Sequence, residues 1–589
     1  MISPYKRSTP YAAALLLAAL AWSAPARAAD KSDTQREEYT RTFEKTFTMR
    51  SGQSARIENR HGTVTVRAHN QPQMQVHASI RVSAPRRSDA EAFGQQIEIE
   101  VSETPLSVAV RTVYPERMNL RNTSFSVNYE VLLPATAPLT VRNTFGSVTA
   151  TGMQVGAEID NSHGSITMRD TRGDHRLSNR FGSTDAAVNT GNLTITNANG
   201  SVRVAQVDGE VSVRNRFANV DVTRVTKGVN IHNANGTVTL DDAGASTVTN
   251  AFGSVTVTNL RGPLTVRNGN GAVLARNIGG GADLTTSFAS ITCDDIRGRL
   301  AATASNSRVA CANIGGDASA RNTFGSLELR DVRGSVDAEN SNGKLTVNTA
   351  RGAATLRTSF GALEAIGIEG NVTASNSNAG IQVEDVRGSV EVRGQFSRVQ
   401  LRNISKGARV VTSNGGVTIE GTGGETYVRT SFGLVQASRI GGPLTVDNNN
   451  GGVRVGGVQG AVKVSSSFSS VVVDDVTGSV DINNQNGAVE LSGIRAKAPG
   501  SQQCNTFAVQ TTFSPLRIYL PEDGGFNLTA RTSFGRITSD LPITTTLTGT
   551  TGNDAISGKI GSGECELRLN NRNSGISILK GARPARPAR

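Results

Sequence analysis

Apolar and polar positions repeat with a period of 18 residues from residue 143 to residue 495. With Asn143 as position one, apolar residues concentrate at positions six, eight, eleven, fifteen and seventeen, and glycine usually occupies positions four and thirteen. Apolar residues two positions apart indicate a strand with one buried face, and glycine indicates a sharp turn. Each unit is therefore predicted to form one rung, consisting of a strand, a turn, a second strand and a second turn.

Position three alternates strictly between phenylalanine and a polar residue through twenty copies of the unit. Each step between copies is 18 residues, except for one step of 17. Such long self-similarity predicts an all-β, parallel β-solenoid (β-helix) of stacked rungs, roughly 95 Å long at about 4.8 Å per rung. The phenylalanines are Phe145, Phe181, Phe217, Phe252, Phe288, Phe324, Phe360, Phe396, Phe432 and Phe468, and the polar residues are His163, Asn199, Asn235, Asn270, Asn306, Asn342, Asn378, Asn414, Asn450 and Asn486.

We interpret this phenylalanine ladder as structural, with each ring filling the core at a corner of every second rung. A buried phenylalanine contributes about 2–3 kcal/mol, which favours packing over the alternative, a row of stacking platforms for sugar rings. Asparagine is common at position one and at position three of the alternate copies. Its side chain can form hydrogen bonds with the turn backbone of neighbouring rungs. Both sets of residues are predicted to be structural.

The two nine-residue halves of the rung resemble the spacing of calcium-binding nonapeptide β-rolls. Valine or isoleucine, for example Val148, Ile166 and Val202, stands where the calcium-ligating aspartate would be. An ion that prefers oxygen ligands has nothing to bind there. We therefore exclude a calcium roll and expect no metal and no cofactor.

The ends of the chain differ from the repeats. Residues 1–28 are interpreted as a signal peptide, because Lys6 and Arg7 precede a short apolar run and Ala26-Arg27-Ala28 provides a small-x-small cleavage site. The mature chain is therefore expected to be exported, at the cell surface, outside the cell or in the periplasm, without a membrane span. We predict a flexible segment at 29–42, a β-rich N-terminal cap with a first diverged rung at 43–142, the solenoid at 143–495, diverged rungs and a cap at 496–579, and a basic flexible tail at 580–589.

Several motifs resemble a bacterial family of unknown function whose members are described by the label "putative adhesin". They are the Phe-Gly-Ser-Val and Asn-x-Asn-Gly-x-Val rungs, Leu-Leu-Pro at 132–134, Thr-Ser-Phe-Gly-x-Ile at 532–537 and Gly-Lys-Ile-Gly-Ser-Gly at 558–563. The resemblance covers roughly residues 43–579 and implies a right-handed parallel β-solenoid. Its motifs are structural, so they bear on the fold far more than on function.

Four cysteines are candidates for disulfides, which export would permit. Cys293 and Cys311 occupy position eight of adjacent rungs, where a bond and two buried thiols are nearly equal expectations. Cys504 and Cys565 lie beyond the regular rungs, and we expect them to pair and fasten the C-terminal cap.

The net charge of +12 includes seven basic residues in the leader and tail, and without these the body carries +5. Nucleic-acid binding requires a concentrated basic patch and is therefore not expected. Position eighteen places four arginines two rungs apart, which is about 9.6 Å, and this row could bind an anionic polysaccharide or another envelope polymer. The intervening rungs carry other residues at position eighteen, which weakens the positive field of the row, so a mixed solvated face is the alternative. These residues are Glu339, Ser375, Val411 and Asp447. The row comprises Arg321, Arg357, Arg393 and Arg429.

Parallel β-helices also include polysaccharide-active enzymes, so paired carboxylates were considered. The pairs Asp241-Asp242, Asp294-Asp295 and Asp474-Asp475 are several rungs apart and are typical of turns. No catalytic or metal-binding arrangement follows from them or from the six histidines. We predict an exported, monomeric, non-catalytic structural or adhesive protein. The alternatives are a periplasmic scaffold or envelope-stress protein and a polysaccharide-active enzyme.

Overall fold

Each 18-residue unit forms one rung whose two strands belong to two different parallel sheets, and the predicted β-solenoid is thereby confirmed. In the computed structural model, which describes residues 36–115, 122–522, 524–545 and 554–583, positions six to twelve form sheet A and positions fifteen to three form sheet B. Equivalent residues of successive rungs pair directly, as Ile166 does with Thr184 in sheet A and Ile159 with Leu177 in sheet B. The core lies between the two sheets and contains the inward side chains of both.

The regular rungs contain forty strands. Those of sheet A are Val148–Thr151, Ile166–Arg172, Thr184–Thr190, Val202–Asp208, Val220–Val225, Val238–Ala243, Val255–Leu260, Val273–Ile278, Ile291–Ile296, Val309–Ile314, Leu327–Val332, Leu345–Ala350, Leu363–Ile368, Ile381–Val386, Val399–Ile404, Val417–Thr422, Val435–Ile440, Val453–Val458, Val471–Val476 and Val489–Leu491. Those of sheet B are Leu139–Phe145, Ala157–His163, His175–Phe181, Leu193–Asn199, Val211–Phe217, Val229–Asn235, Ser246–Phe252, Leu264–Asn270, Ala282–Thr286, Leu300–Thr303, Ala318–Asn322, Val336–Asn340, Ala354–Thr358, Val372–Asn376, Val390–Gly394, Ala408–Val411, Thr426–Thr430, Leu444–Asn448, Val462–Ser466 and Val480–Asn484.

A left-handed residue at position ten bends every sheet A strand and explains why the third apolar residue is at eleven. Non-glycine residues there have φ between 52° and 64°, as in Asp170 and Asn259. One left-handed residue reverses the alternation of the strand, so positions six, eight and eleven all face the core. Asparagine, aspartate and glycine adopt this conformation most readily, which accounts for their frequency at this position.

The corner between the sheets is held by the buried asparagines of position one. Asn448 is fully buried, and its Nδ2 donates to Gly451 O of its own turn at 2.8 Å and to Gly433 O of the preceding rung at 2.9 Å. Asn484 makes the same pair of bonds to Gly487 O and Ser469 O. These bonds satisfy turn carbonyls that would otherwise be buried without partners, as expected from the sequence.

The N-terminal end is covered by strands that reverse direction. The elements are β1 (Glu37–Thr48), β2 (Ser54–His61), β3 (Val64–His69), β4 (Gln73–Ala84), α1 (Arg87–Gln95), β5 (Glu98–Glu103), β6 (Ser107–Val113) and β7 (Ser124–Pro134). Sheet A ends in the antiparallel strands β7, β4 and β1, sheet B ends in the antiparallel pair β6–β5, and α1 packs on β1 and β4. Edge strands of opposite direction prevent another rung from being added.

At the C-terminal end, chain order and spatial order differ. The strands are Phe507–Thr511, Leu516–Leu520, Phe526–Thr532, Ile537–Ser539, Ala555–Ile560, Cys565–Asn571 and Ile576–Lys580. In sheet B, Cys565–Asn571 lies between Phe507–Thr511 and Phe526–Thr532, so the last part of the chain forms the penultimate rung. Ala555–Ile560 then pairs antiparallel with Phe526–Thr532 and closes the edge.

Both predicted flexible termini differ in part from the structure. Residues 37–42 form the first half of β1, because their alternating side chains pair along β4. At the other end, Lys580 completes a strand and forms an ion pair with Glu522, and Arg583 contacts Glu490 at 2.8 Å. The predicted signal peptide at 1–28, the segment 29–35 and the tail from 584 lie outside the described residues. Among the residues that are described, no helix has the length and apolar character needed to cross a bilayer.

Candidate functional site: an aromatic ladder and a polar groove

The ten phenylalanines of position three lie on the surface, so the prediction that they fill the core was wrong. Their exposed fractions range from 41% for Phe145 to 66% for Phe288. The core corner is already occupied by position one, and the backbone at position four passes too close to the neighbouring rung to leave room for a ring. A Cβ added at Gly343, for example, would lie 1.6 Å from Gly325 O. The phenylalanine therefore points out along the edge of the rod.

The ladder continues through both caps in spatial order. His61 of β2 pairs with Phe145, which extends the ladder by one polar step toward the N-terminus. At the other end, the strand pairings of the C-terminal rungs give the order Asn486, Phe513, Asn573 and Phe534 along the ladder. The alternation of phenylalanine and polar residue is thus retained even where the chain order is rearranged. Twelve exposed phenylalanines follow one edge of the rod.

The first steps of the ladder form a continuous aromatic stack. The ring of Phe145 lies 5.1 Å from that of His61 and 4.7 Å from that of His163, and His163 lies 4.8 Å from Phe181. The planes are within 23° of parallel, so the ring faces look along the rod and the ring edges look outward. Burial, with a smaller effect from the charge of Arg60, lowers the pKa of His61. The stack therefore favours a neutral imidazole at its end.

Beyond Asn199 the intervening step holds no aromatic ring among the regular rungs. Five asparagine side chains at this step donate to the preceding rung, for example Asn306 Nδ2 to Ser287 O at 3.1 Å and Asn378 Nδ2 to Ser359 O at 3.1 Å. Successive phenylalanines are two rungs apart along the rod, which is about 9.6 Å. Each asparagine therefore stands between two exposed phenylalanines, at a step that we call an asparagine slot.

A polar groove runs beside the ladder on sheet B, over a floor of buried position-one side chains. One stretch of about 390 Å³ is lined by Ser341, Ser359 and Ser377 on one side and by Arg357 and Arg393 on the other. A second stretch of about 370 Å³ repeats the arrangement around Arg429, with serine, asparagine and glutamine opposite. Its hydroxyl and amide groups recur at each rung.

The structure places the four predicted arginines in register along this groove, and three of them contact carboxylates. Arg357 lies 3.1 Å from Asp337, and Arg321 lies 3.5 Å from the same residue. Arg393 contacts Glu391 at 2.9 Å. These ion pairs are exposed, so each contributes little free energy. An arginine can therefore leave its carboxylate and bind an anionic ligand instead. The face is mixed in charge, in agreement with the alternative considered from the sequence.

A second arginine row was missed by the sequence analysis. Arg297, Arg333 and Arg351, all at position twelve, line a cavity of about 530 Å³ on the opposite edge, together with Asp295 and Asp331. The signal was available, because arginine recurs at one position of neighbouring rungs.

The paired aspartates serve the turns of sheet A. Asp242, Asp295 and Asp475 are left-handed residues of position ten. Their partners at position nine accept bonds from the next rung, as Asp241 does from Thr258 Oγ1 at 2.6 Å and Asp474 from Ser492 Oγ at 2.6 Å. In the described part of the chain, no three His, Cys, Asp or Glu residues are grouped so as to hold a metal ion.

His61, His69 and His77 are evenly spaced in the sequence, but the structure gives each of them separate contacts. His69 Nε2 contacts Gln73 O at 2.7 Å, and His77 Nδ1 lies 3.0 Å from Glu44 beside a cap cavity of about 400 Å³. These separate contacts do not bring the three evenly spaced histidines, His61 included, into one site.

The structure joins the cysteines in two disulfides. Cys293 and Cys311 pair between adjacent rungs, with 4.5 Å between their Cα atoms. Cys504 and Cys565 pair at the C-terminal cap, with 5.2 Å between Cα atoms. The second bond links the loop before the last rungs to the strand that is inserted between them.

No family model matches the chain. No curated protein matches it either. Among solved structures, the chain is similar to a crystal structure described as a "putative cell adhesion protein" from Clostridium sporogenes, at 9% sequence identity and a TM-score of 0.15, covering 36% of this chain and 99% of the other. A TM-score this low carries no argument, so the fold rests on the strand pairings of the chain itself.

Proposed function

We propose that this protein is an exported, non-catalytic structural or adhesive rod whose sheet B groove binds an extended anionic polymer, such as an acidic polysaccharide. The observation that carries the proposal is the repetition of one polar groove in register along a rigid solenoid. A polymer with repeating units can meet the same side chains at successive rungs, and many weak contacts then add up to useful affinity. The arginines supply charge, and the serines supply hydrogen bonds.

Export is supported by the leader and by the disulfides. The apolar leader with its small-x-small motif is typical of secretion, and the pairings Cys293–Cys311 and Cys504–Cys565 suit an oxidising compartment. A non-catalytic role is supported by the engagement of the paired aspartates in turns. The closest competing role is a periplasmic scaffold, which would use the same surface inside the outer membrane.

The location of the protein separates these two roles. With an epitope tag placed after Arg589, we expect antibody to stain intact cells, because an adhesive rod must present its surface outside. Staining that requires permeabilised cells would contradict the adhesive role and support the periplasmic scaffold. Detection of the tagged, full-length protein in the medium would instead indicate release as a matrix component.

Replacing Arg321, Arg357, Arg393 and Arg429 together by glutamine is expected to weaken binding to an acidic polysaccharide by about tenfold or more, since a hydrogen bond to a charged group is worth about 1.5–3 kcal/mol. Affinity of the wild type should also fall as salt is raised. Isothermal titration against alginate, with a neutral glucan as comparison, measures both effects.

The matched control removes the same charge from the opposite edge: Arg297, Arg333 and Arg351 are replaced by glutamine together with Arg387, which also occupies position twelve. This variant should bind nearly as well as the wild type. An equal loss in both variants would show that net charge alone attracts the polymer. An unchanged affinity in the groove variant would reject the proposed site.

A further inference from the structure

The alternating ladder has the form of an interface, since twelve exposed phenylalanines along one edge present more apolar surface than is usual on a monomer. A phenylalanine side chain presents on the order of 200 Å², so the twelve roughly half-exposed rings present on the order of 1,000 Å². A stable protein–protein interface requires about 800 Å² from each partner. The strip alone therefore has the area of a complete interface.

The surface beside the ladder permits close approach. Positions two, four and five are mostly serine, alanine, glycine and threonine, as in Ser359-Phe360-Gly361-Ala362. Among the regular rungs of the second half, charged side chains at these positions are limited to Arg308, Lys344 and Arg398. Small neutral margins suit a surface that packs against a flat partner rather than one that attracts ions.

The molecule itself shows what fits between two of its phenylalanines. His163 stands in the step between Phe145 and Phe181 and stacks on both rings, at 4.7 and 4.8 Å. From Asn199 onward, asparagine takes that place and leaves room for a ring supplied from outside. Phe145 and Phe181 point their ring edges outward where they stack on His163, and rings arranged in the same way along the ladder would leave slots for planar groups rather than flat platforms for sugar rings.

We propose that the ladder binds a second copy of this chain, with the phenylalanines of each rod inserted into the asparagine slots of the other. The spacing of the rings on one copy equals the spacing of the slots on the other, because the two chains are identical and both spacings are about 9.6 Å. A two-fold axis perpendicular to the rods and placed between two rungs sets every phenylalanine opposite an asparagine, and it closes the assembly as an antiparallel dimer. A two-fold axis along the rods would instead set phenylalanine against phenylalanine. The two proposed surfaces lie side by side and share the serines of position two, but polymer binding rests on the arginines of the sheet B groove and dimerisation on the phenylalanines.

Sedimentation equilibrium of the full-length mature protein tests the proposal. We expect a dimer at micromolar concentration, and small-angle scattering should give a maximum dimension close to that of one rod, because the copies lie side by side. Replacing the five central rings by serine should raise the dimer dissociation constant about a hundredfold or more, as loss of hot-spot residues does. These rings are Phe288, Phe324, Phe360, Phe396 and Phe432, all more than half exposed.

A second variant separates interdigitation from general stickiness. Replacing Asn306, Asn342, Asn378 and Asn414 by phenylalanine fills the slots from within, as His163 does, and should also weaken the dimer although it adds apolar surface. A stronger dimer in this variant would show unspecific hydrophobic association and overturn the proposal. So would a wild-type monomer, which is the state expected from the sequence, a dimer indifferent to the serine substitutions, or a monomer that binds glycan through the ladder.

Discussion

Removing the Cys504–Cys565 disulfide is expected to destabilise the C-terminal cap by about 2–4 kcal/mol, because the bond closes a long loop in the unfolded chain. The two cysteines are separated by 61 residues, and the enclosed segment includes the outermost rung, Phe526–Thr532 with Ile537–Ser539, and the rung of Phe507–Thr511 and Leu516–Leu520. The strand Cys565–Asn571 is inserted between two strands that precede it in the chain, so the cap cannot form before the C-terminus arrives. The bond holds this late-arriving strand in place.

Hydrogen exchange compares the amides of residues 507–580 in the wild type and in the double variant Cys504→Ser, Cys565→Ala. Protection should be lost in the cap and retained in the middle of the rod, since a solenoid opens locally. The double variant Cys293→Ala, Cys311→Ala is the control. Its shorter separation of 18 residues predicts an effect about 1 kcal/mol smaller, confined to rungs near residue 300. Equal protection of the cap with and without its disulfide would contradict the prediction.

The rung architecture was predictable because its determinants are local and repeated. Apolar residues at positions six and eight define one buried strand face. The next apolar residue is at position eleven and not at ten, because the residue at position ten is left-handed and bends the strand. The position-one asparagines were assigned correctly to the turn backbone. By contrast, the inserted strand Cys565–Asn571 could not be predicted, because nothing in a linear repeat indicates that a later segment occupies an earlier rung.

The error over the phenylalanine ladder has a specific cause. A ladder inside a corner and a ladder outside it give the same period in the sequence. The strict alternation of phenylalanine with asparagine nevertheless indicates that the ladder is on the outside. Every rung has a core of the same thickness, so an interior position should keep the same kind of side chain in every copy, as the apolar positions six and seventeen and the buried asparagines of position one mostly do. A position that alternates between a large ring and a polar side chain is a surface position. The ion pairs of Arg357 and Arg393 depend on side-chain geometry between rungs, which the spacing alone does not determine.

Replacing Asn448 by leucine is expected to destabilise the surrounding rungs by about 2–4 kcal/mol. The substitution removes the donor that satisfies Gly433 O and Gly451 O, and each carbonyl left buried without a partner costs about 1–3 kcal/mol. Leucine has the same number and branching of side-chain heavy atoms as asparagine but is larger, so no cavity forms and overpacking adds to the loss. Urea denaturation, combined with hydrogen exchange of residues 430–484, measures the loss.

Two further variants determine whether hydrogen bonding is the cause. Asn448→Thr should cost less, because a hydroxyl at this position can still donate, as Thr430 Oγ1 does to Gly415 O at 3.3 Å. Asn450→Leu makes the same chemical change two residues later at an exposed position, where the free energy of unfolding should change by less than about 0.5 kcal/mol. If threonine and leucine at 448 were equally destabilising, bulk or shape would be the cause. If neither had an effect, the asparagines would not hold the corners of the rungs, and the outward turn of the phenylalanine ladder would need another explanation.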